Sequence, residues 1–548
     1  MTAVIAIIAI AVYANARFNG FAMDDEGVIL KNGLVHNVDG LWRAFAEPYW
    51  PRGGGQYRPL VIASFTAGWL LSNGNPLVFH VVNLAWHAAA SLLVFSLARR
   101  WLSLGGASIA AVLFAVQPVH VEAVANVVGR SELMAAGGVL AMLLLHQRRS
   151  PWAAVAFAFA LLSKEHAAVA PVLAALGDVL QRPAGRSRET PGVRLRTLYL
   201  TYAGVAVAWG GALALVFERT PFAAPNTLWL SMDAPSRWLT VLGVVPTWLR
   251  LWFFPFDLSA DYSPRVTAAW PDNVAAAAVG AIAIVALALL IIVARRRARP
   301  VAFAVGLMAV AMLPVANVLV PTGLVVGERT LYLSSIGAAL LAGFVAERLA
   351  ARQTAAAVAL AVAIALAFGA RTWTRTPVWQ SNRALLTTTL AEHPEASWTH
   401  VLVGRVYAGN GGYDKALGEY QEALRLFDRD AVAWNDAVYA ATRSNRLELA
   451  DSLLREARLR GLRDYSLSAA RAYVTLELRR YPESVAAARD AITIAPDSAT
   501  PRLYAAWAFA AMGMRDSAKS QLSRIPRRDA QRRQADSLGR ILDSLGGK

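Results

Sequence analysis

The sequence predicts an all-α chain in two parts, a polytopic membrane helix bundle followed by an α-solenoid. Two contrasts predict it: apolar runs dominate up to about residue 370, and beyond them a charged, helix-forming pattern repeats itself every 34 residues. A mean hydropathy of +0.40 and a hydrophobic content of 56% average over both parts, so the first part alone is more apolar still. The 548 residues include no cysteine, which excludes disulfides, thiolate metal sites and a cysteine nucleophile. The net charge of +17 comes almost entirely from arginine gathered in short loops. That pattern fits membrane topology and lipid headgroups, and no nucleic-acid partner is expected.

The membrane domain is expected over residues 1–370. Its candidate spans are 2–16, 77–98, 105–117, 130–146, 151–163, 166–181, 197–217, 237–254, 272–294, 300–320, 331–348 and 354–370. This gives roughly 11–13 spans, several of them short for a hydrocarbon core of ~30 Å. Ala14-Asn15-Ala16 matches a leader-cleavage pattern, but no basic residue precedes the first apolar segment, so a retained span is expected. Arg99-Arg100, Arg148-Arg149, the stretch Arg182 to Arg196, Arg295 to Arg299 and Arg348 with Arg352 belong in the cytoplasm. Alternation then puts Asp24-Asp25 outside, with the loops near His120, Lys164 and Glu328 and the chain after residue 370. Parity requires that 237–254 be re-entrant or that a partner crossing lie at 219–235.

A linker is expected at 371–396, then four repeats over 397–532 and a capping helix over 533–548. Ala416, Ala450, Ser484 and Ala518 fall in register at 34 residues, as do Ala423, Ala457 and Ala491. Gly404, Tyr407, Trp434, Pro496 and Gly513 add further matches to the tetratricopeptide pattern. Small residues at these positions let paired helices approach closely, and stacked pairs form a concave surface suited to peptides or extended segments.

Polar residues in the membrane half are the functional candidates. Asp24-Asp25-Glu26 places three consecutive carboxylates after the first apolar segment, at the mouth of the bundle. Adjacent like charges near low dielectric are costly; they activate a nucleophile, meet a cation or hold a polar substrate. Tyr57-Arg58-Pro59-Leu60 opens the next hydrophobic region, with Pro59 suited to a helix first turn. Arg58 there either grips a phosphate or snorkels to headgroups. His80, Asn83 and His87 share one helical face and serve as interhelical hydrogen bonds more readily than as metal ligands. Gln117-Pro118-Val119-His120-Val121-Glu122 follows, with Asn126, Arg130 and Glu132. If this stretch is helical, Glu122 and Arg130 stand about 12 Å apart, so each needs another partner. Ser163-Lys164-Glu165-His166 and Glu328-Arg329-Thr330-Leu331-Tyr332 each set a cation beside an anion, either as a local pair or as parts of an outward-facing cavity for an anionic, hydroxyl-rich molecule.

These residues, in this order and followed by the repeats, resemble the transmembrane and tetratricopeptide repeat-containing O-mannosyltransferases of the C-type glycosyltransferases. The resemblance rests on Phe21-x-x-Asp24-Asp25, Tyr57-Arg58-Pro59-Leu60, Phe79-His80-x-x-Asn83-x-x-x-His87, Pro118-Val119-His120-x-Glu122 through Gly129-Arg130-x-Glu132-Leu133, Leu162-Ser163-Lys164-Glu165 and Glu328-Arg329-x-Leu331-Tyr332-Leu333. It covers essentially the whole chain. One departure is Gln117, where the family commonly has histidine.

The resemblance implies a membrane bundle of the C-type glycosyltransferase kind. The enzyme would take a sugar, mannose in the first instance, from a polyprenyl-phosphate carrier to Ser or Thr hydroxyls of extracytoplasmic proteins. Asp24 or Asp25 is then the catalytic base of an inverting reaction, Asp24 by preference, with Asp25 and Glu26 orienting it or the acceptor. Arg58, Arg130, Lys164 and Arg329 are candidates to meet the leaving phosphate. Tyr57, His80, His87, His120, Glu122, Glu165, Glu328 and Tyr332 complete the expected substrate-binding set. Mg²⁺ or Mn²⁺ at the paired carboxylates stays open, and the repeat groove would receive the protein acceptor. Abundant arginine and alanine point to a bacterial inner membrane with extracytoplasmic repeats. Two alternatives stand beside this reading: a transferase of the same fold acting on a lipid-linked glycan or envelope polysaccharide, and a non-catalytic membrane scaffold or transporter.

Overall fold

The computed structural model describes residues 1–51, 56–181, 193–218, 229, 232–526 and 529–544. Among the described residues the chain is helical throughout and contains no strand. It divides into two compact units, one of residues 1–262 with 267–392, the other of 263–266 with 393–548.

In the first unit, five helices are long and apolar enough to cross a membrane: Pro76–Ala98, Val127–Gln147, Leu195–Phe217, Val274–Arg297 and Thr354–Gln380. A sixth crossing is available where Leu104–Ala115 and Pro118–Ala125 meet at a 46° bend, as the proline and the extended Gln117 require. This is a multi-pass membrane protein. Its count of full-length spans among the described residues is below the expected 11–13, because several apolar stretches form short helices. Thr2–Ala11, Pro59–Ser72, Trp152–Ser163 and Arg299–Met312 have 10 to 14 residues, about 15–21 Å at 1.5 Å per residue. The expected span 166–181 divides into a 3₁₀ turn, Glu165–Val169, and the helix Ala170–Gln181. The helix Ala234–Phe253 corresponds to the segment of uncertain parity. Its suggested partner crossing falls largely outside the described residues, as do most of the basic stretch 182–196 and the last four residues of the chain.

Burial sorts the long helices. The window of Val127–Gln147 is 89% buried and forms the axis of the bundle, whereas Leu195–Phe217, Val274–Arg297 and Thr354–Gln380 are each 11% buried and turn apolar side chains outward, as lipid contact demands. Small residues let the axis helix pack closely. A Cβ added at Gly138 would lie 2.8 Å from that of Ala160 on the adjoining helix, nearer than packed carbons tolerate.

The second unit is a solenoid of helix pairs. Its first helices begin at Ser397, Ala431, Tyr465 and Ala499, each followed by a second helix, and Arg532–Ser544 closes the stack. Ala416, Ala450, Ser484 and Ala518 are fully buried. At Gly404 an added Cβ would meet the Tyr420 ring at 2.4 Å, the physical reason for glycine there. Asp430 and Asp464 cap the second and third first helices by accepting backbone N–H bonds. Successive first helices touch one another across the repeats, which places them on the inner face of the solenoid.

Candidate active site

The acidic triplet does not act as one cluster, because consecutive residues point to different neighbours. The segment begins at Met23, whose φ of 54° turns the chain sharply. Asp24 lines a cavity of about 260 Å³ in the first unit. Its side chain remains 34% exposed and its Oδ2 accepts from Arg329 at 3.0 Å. Asp25 is only 1% exposed and points the other way. Its carboxylate accepts backbone N–H bonds from Ala22 (3.1 Å), Val127 (3.4 Å) and Val128 (2.8 Å), tying the loop to the start of the axis helix. Burial pushes its pKa up to about 7 against the pull of those bonds. Glu26 pairs with Lys31 at 3.1 Å and accepts from the Asn382 side chain. Asp24 and Asp25 thus face different partners, and among the described residues no group of three or more His, Asp or Glu is gathered as a metal would need.

Three cations reach the same cavity, each already engaged by a carboxylate. Arg58 holds Glu165 bidentately at 2.6 and 3.0 Å and stacks over Tyr49 at 5.0 Å. In spite of burial, the guanidinium holds the Glu165 carboxyl down at about 2. Lys164 pairs with Glu132. Arg329 takes Asp24 through its side chain, while Glu122 accepts the Arg329 backbone N–H at 2.9 Å and lies 3.5 Å from its Nε. The sequence neighbours Lys164-Glu165 and Glu328-Arg329 are thus not local pairs. Glu328 accepts from the Ser259 N–H and the Tyr262 hydroxyl, both at 2.7 Å, and burial raises it to about 7.

Three comparisons bear on this arrangement. No protein-family model matches the chain. Protein O-mannosyl-transferase TMTC3 of Mus musculus is 28% identical over 482 residues, covering 79% of this chain and 52% of the relative. The chain is similar to protein O-mannosyl-transferases. A second, F38B6.6 of Caenorhabditis elegans, is 26% identical over 76% of this chain and 61% of its own length. A third, Tmtc2 of Drosophila melanogaster, is 33% identical over 48% of this chain and 31% of its own. The chain spans about half to three-fifths of the length of the first two relatives. Among solved structures, YrrB, described as a TPR protein with an unusual peptide-binding site, superposes with a TM-score of 0.27 at 18% identity, covering 30% of this chain and 84% of that one, too slight a likeness to carry an argument.

The remaining expected site residues lie away from the cavity lining. Arg130 is fully buried and all three guanidinium nitrogens are used. Nε donates to Asn83 at 2.9 Å, NH2 to the Phe79 carbonyl at 2.9 Å and NH1 to Ser64 at 3.2 Å, and the Phe65 ring lies 4.7 Å away. It braces the bundle and does not line the cavity. Glu122 and Arg130 do not share one helix either: the chain turns at an extended Asn126 between them.

His80, Asn83 and His87 do share a face, and each bonds to another element, as interhelical hydrogen bonds do. His80 meets the Gly20 carbonyl at 3.2 Å, and the Asn83 amide donates to three carbonyls between Val124 and Val127. His87 Nε2 donates to the Ala115 carbonyl at 3.0 Å, so Nδ1 accepts the Tyr332 hydroxyl at 2.8 Å. His120 donates to Ser335 at 2.7 Å, Tyr57 donates to the Phe45 carbonyl at 2.9 Å, and Gln117 donates to the Trp252 carbonyl at 2.8 Å.

Sequence reasoning missed Tyr49, Trp50 and Gln56, and the 322–327 segment with Thr330, all of which line the cavity. All but Thr330, which sits on the 3₁₀ turn Glu328–Leu331, lie on connecting loops without periodicity. The one available signal was the Tyr49-Trp50 aromatic pair between Pro48 and Pro51.

Proposed function

We propose that the chain is a membrane glycosyltransferase that moves mannose from a polyprenyl-phosphate carrier to Ser or Thr hydroxyls of extracytoplasmic proteins, with Asp24 as the base. The observation that carries the reading is Asp24 itself, the one member of the acidic triplet that lines a cavity shared with Arg58, Lys164 and Arg329. Similarity to named protein O-mannosyl-transferases supports the sugar and the acceptor class. At about 260 Å³ the cavity falls just below the ~300–1,000 Å³ usual for small-ligand sites, a size suited to one small polar unit.

In this mechanism an Asp24 oxygen takes the proton of the acceptor hydroxyl as that oxygen bonds to the anomeric carbon. The bond from that carbon to the carrier phosphate breaks on the opposite face, and the phosphate leaves with the electron pair, inverting the centre. Arg329 links the two ends of the reaction. A phosphate that engages it competes with Asp24 for the guanidinium and releases the carboxylate for proton transfer, while the arginine offsets the developing charge. No metal-dependent step is invoked.

The orientation follows the arginine loops. The axis helix starts beside Asp25 and ends at Arg148-Arg149, which supports a cavity on the side opposite the basic loops; with those loops in the cytoplasm, that side would be the periplasm of a bacterial inner membrane. The solenoid would then receive the acceptor on its inner face, where Tyr439 and Trp507 stand 52% and 40% exposed at the same repeat position.

The test is transfer of radiolabelled mannose from polyprenyl-phosphate mannose to envelope proteins by membranes carrying the unmodified chain, Asp24→Asn or Asp25→Asn. Label in protease-sensitive material that Asp24→Asn abolishes is the expected result. Protease-resistant label would move the acceptor to a glycan, and transfer that survives Asp24→Asn would remove the base.

A further inference from the structure

The segment 371–396, which sequence alone presents as a linker, makes a run of contacts to the loop that carries the acidic pair. Asn15 donates through its side chain to the Trp373 carbonyl at 2.8 Å, Asn19 to the Thr376 carbonyl at 3.1 Å, and the Gly20 N–H to the Gln380 carbonyl at 3.0 Å. The run ends at Asn382. Its Oδ1 accepts the Met23 N–H at 2.5 Å, and its Nδ2 donates to Glu26 Oε1. One amide side chain therefore bridges the residues on either side of Asp24-Asp25.

Met23 is also one of the non-glycine residues whose backbone is left-handed. Its φ of 54° is left-handed, a region that a side chain with a Cβ disfavours and that persists only where neighbours hold it. Asp25 is fixed independently, by the backbone N–H bonds of Val127 and Val128, and its bond from the Ala22 N–H spans the same turn. With Asp25 pinned, the turn at Met23 sets the direction of Asp24, and Asn382 is the side chain from outside the loop that bonds to Met23 itself.

We propose that Asn382 is a positioning residue: its amide clamps Met23 in the left-handed conformation and so aims the Asp24 carboxylate into the cavity. The proposal rests on the reading of Asp24 as the base, and it assigns to a residue more than 350 positions away in the chain the geometry of that base. Glycine adopts a positive φ without the Cβ penalty. Met23→Gly should therefore make the clamp dispensable, a rescue that a merely structural Asn382 would not show.

The experiment combines mannosyl transfer with hydrogen exchange on the purified full chain, comparing the unmodified protein, Asn382→Ala, Met23→Gly with Asn382→Ala, and Asp24→Asn. Asn382→Ala is expected to raise exchange in peptides covering 20–28 and to lower kcat about tenfold with KM little changed. The double variant should return kcat to within about threefold of the unmodified protein. Unchanged exchange at 20–28, or a kcat loss that Met23→Gly fails to restore, overturns the clamp. Failure of the base reading is distinguishable, since it appears as full transfer by Asp24→Asn whatever the exchange pattern. If Asn382→Ala lowers the melting temperature too far for assay, Asn382→Asp combined with Glu26→Gln retains the acceptor for the Met23 N–H and reverses donor and acceptor across the contact with residue 26, so that no second carboxylate faces Glu26. It should keep the exchange of the unmodified protein at Met23, and raised exchange there also overturns the clamp.

Discussion

Asp24→Asn and Asp25→Asn have opposite signatures, because one residue faces the cavity and its neighbour fastens the loop. Asp25 is buried with three backbone N–H groups on its carboxylate. An asparagine offers one carbonyl oxygen and turns an NH₂ toward whichever N–H it abandons, and a buried donor left without an acceptor costs about 1–3 kcal/mol. Against that loss stands relief from a buried charge. The folded pKa of about 7, set chiefly by burial, compares with an ordinary value of 3.8, and at 1.36 kcal/mol per unit the ionised carboxylate costs about 4 kcal/mol above pH 7. The native state thus binds the Asp25 proton more tightly than the unfolded chain does. Stability is highest below pH 3.8 for this group and falls as pH rises through about 7.

Asparagine removes that dependence. Relative to the unmodified protein, Asp25→Asn should be destabilised near pH 5 and should recover by about 3 kcal/mol on going to pH 8. Asp24→Asn, which loses a partly exposed ion pair worth roughly 0–1 kcal/mol, should run parallel to the unmodified protein. The assay is melting temperature in detergent between pH 5 and 8, with mannosyl transfer measured alongside. Transfer should fall about 10²–10⁴-fold in Asp24→Asn and survive at a reduced rate in Asp25→Asn. Parallel melting curves for Asp25→Asn and the unmodified protein, or transfer that survives only in Asp24→Asn, would refute the division of roles.

Three further outcomes follow from the same geometry. Arg130→Met leaves the Asn83 side-chain oxygen and the Phe79 carbonyl without their buried donor and should cost about 2–4 kcal/mol, seen as a lower melting temperature or loss of folded protein, whereas Arg329→Gln should fold and lose about 10²-fold in transfer. Tyr332→Phe removes one hydroxyl from His87 and should cost about 1 kcal/mol with transfer at the level of the unmodified protein, so a large loss of transfer would return Tyr332 to the site. Because the chain has no cysteine, single cysteines at Thr322 and at Ser150 report topology directly. A membrane-impermeant maleimide added to intact cells with a permeable outer membrane should label the first and not the second, and the reverse pattern would invert the orientation.

The motifs gave the membrane site residues unevenly, and the pattern of success has a cause. His80, Asn83 and His87 were legible as a shared face because helical spacing is a local property. Lys164-Glu165 and Glu328-Arg329 were not legible as separate partners. Adjacent residues at a helix end project in different directions, so Glu165 finds Arg58, 107 residues away, and Arg329 finds Asp24, 305 residues away. Arg130 and Arg58 look equivalent as lone arginines beside apolar helices. Only the arrival of Phe79, Asn83 and Ser64 around one, and of Glu165 and an open cavity around the other, separates a brace from a site residue.

By itself the sequence determined the class of the chain. Hydropathy specified a helical membrane domain, because a backbone in hydrocarbon must satisfy its hydrogen bonds internally. The 34-residue register specified the solenoid, because each repeat buries its small residues against the next. Both are properties of neighbours along the chain. Tertiary structure alone decided which of two consecutive aspartates faces the cavity and which is pinned to the axis helix, since that choice depends on one left-handed residue and on an asparagine beyond the last span. Burial, partner and direction are set by groups that the fold brings from far along the chain, and a motif carries no record of them.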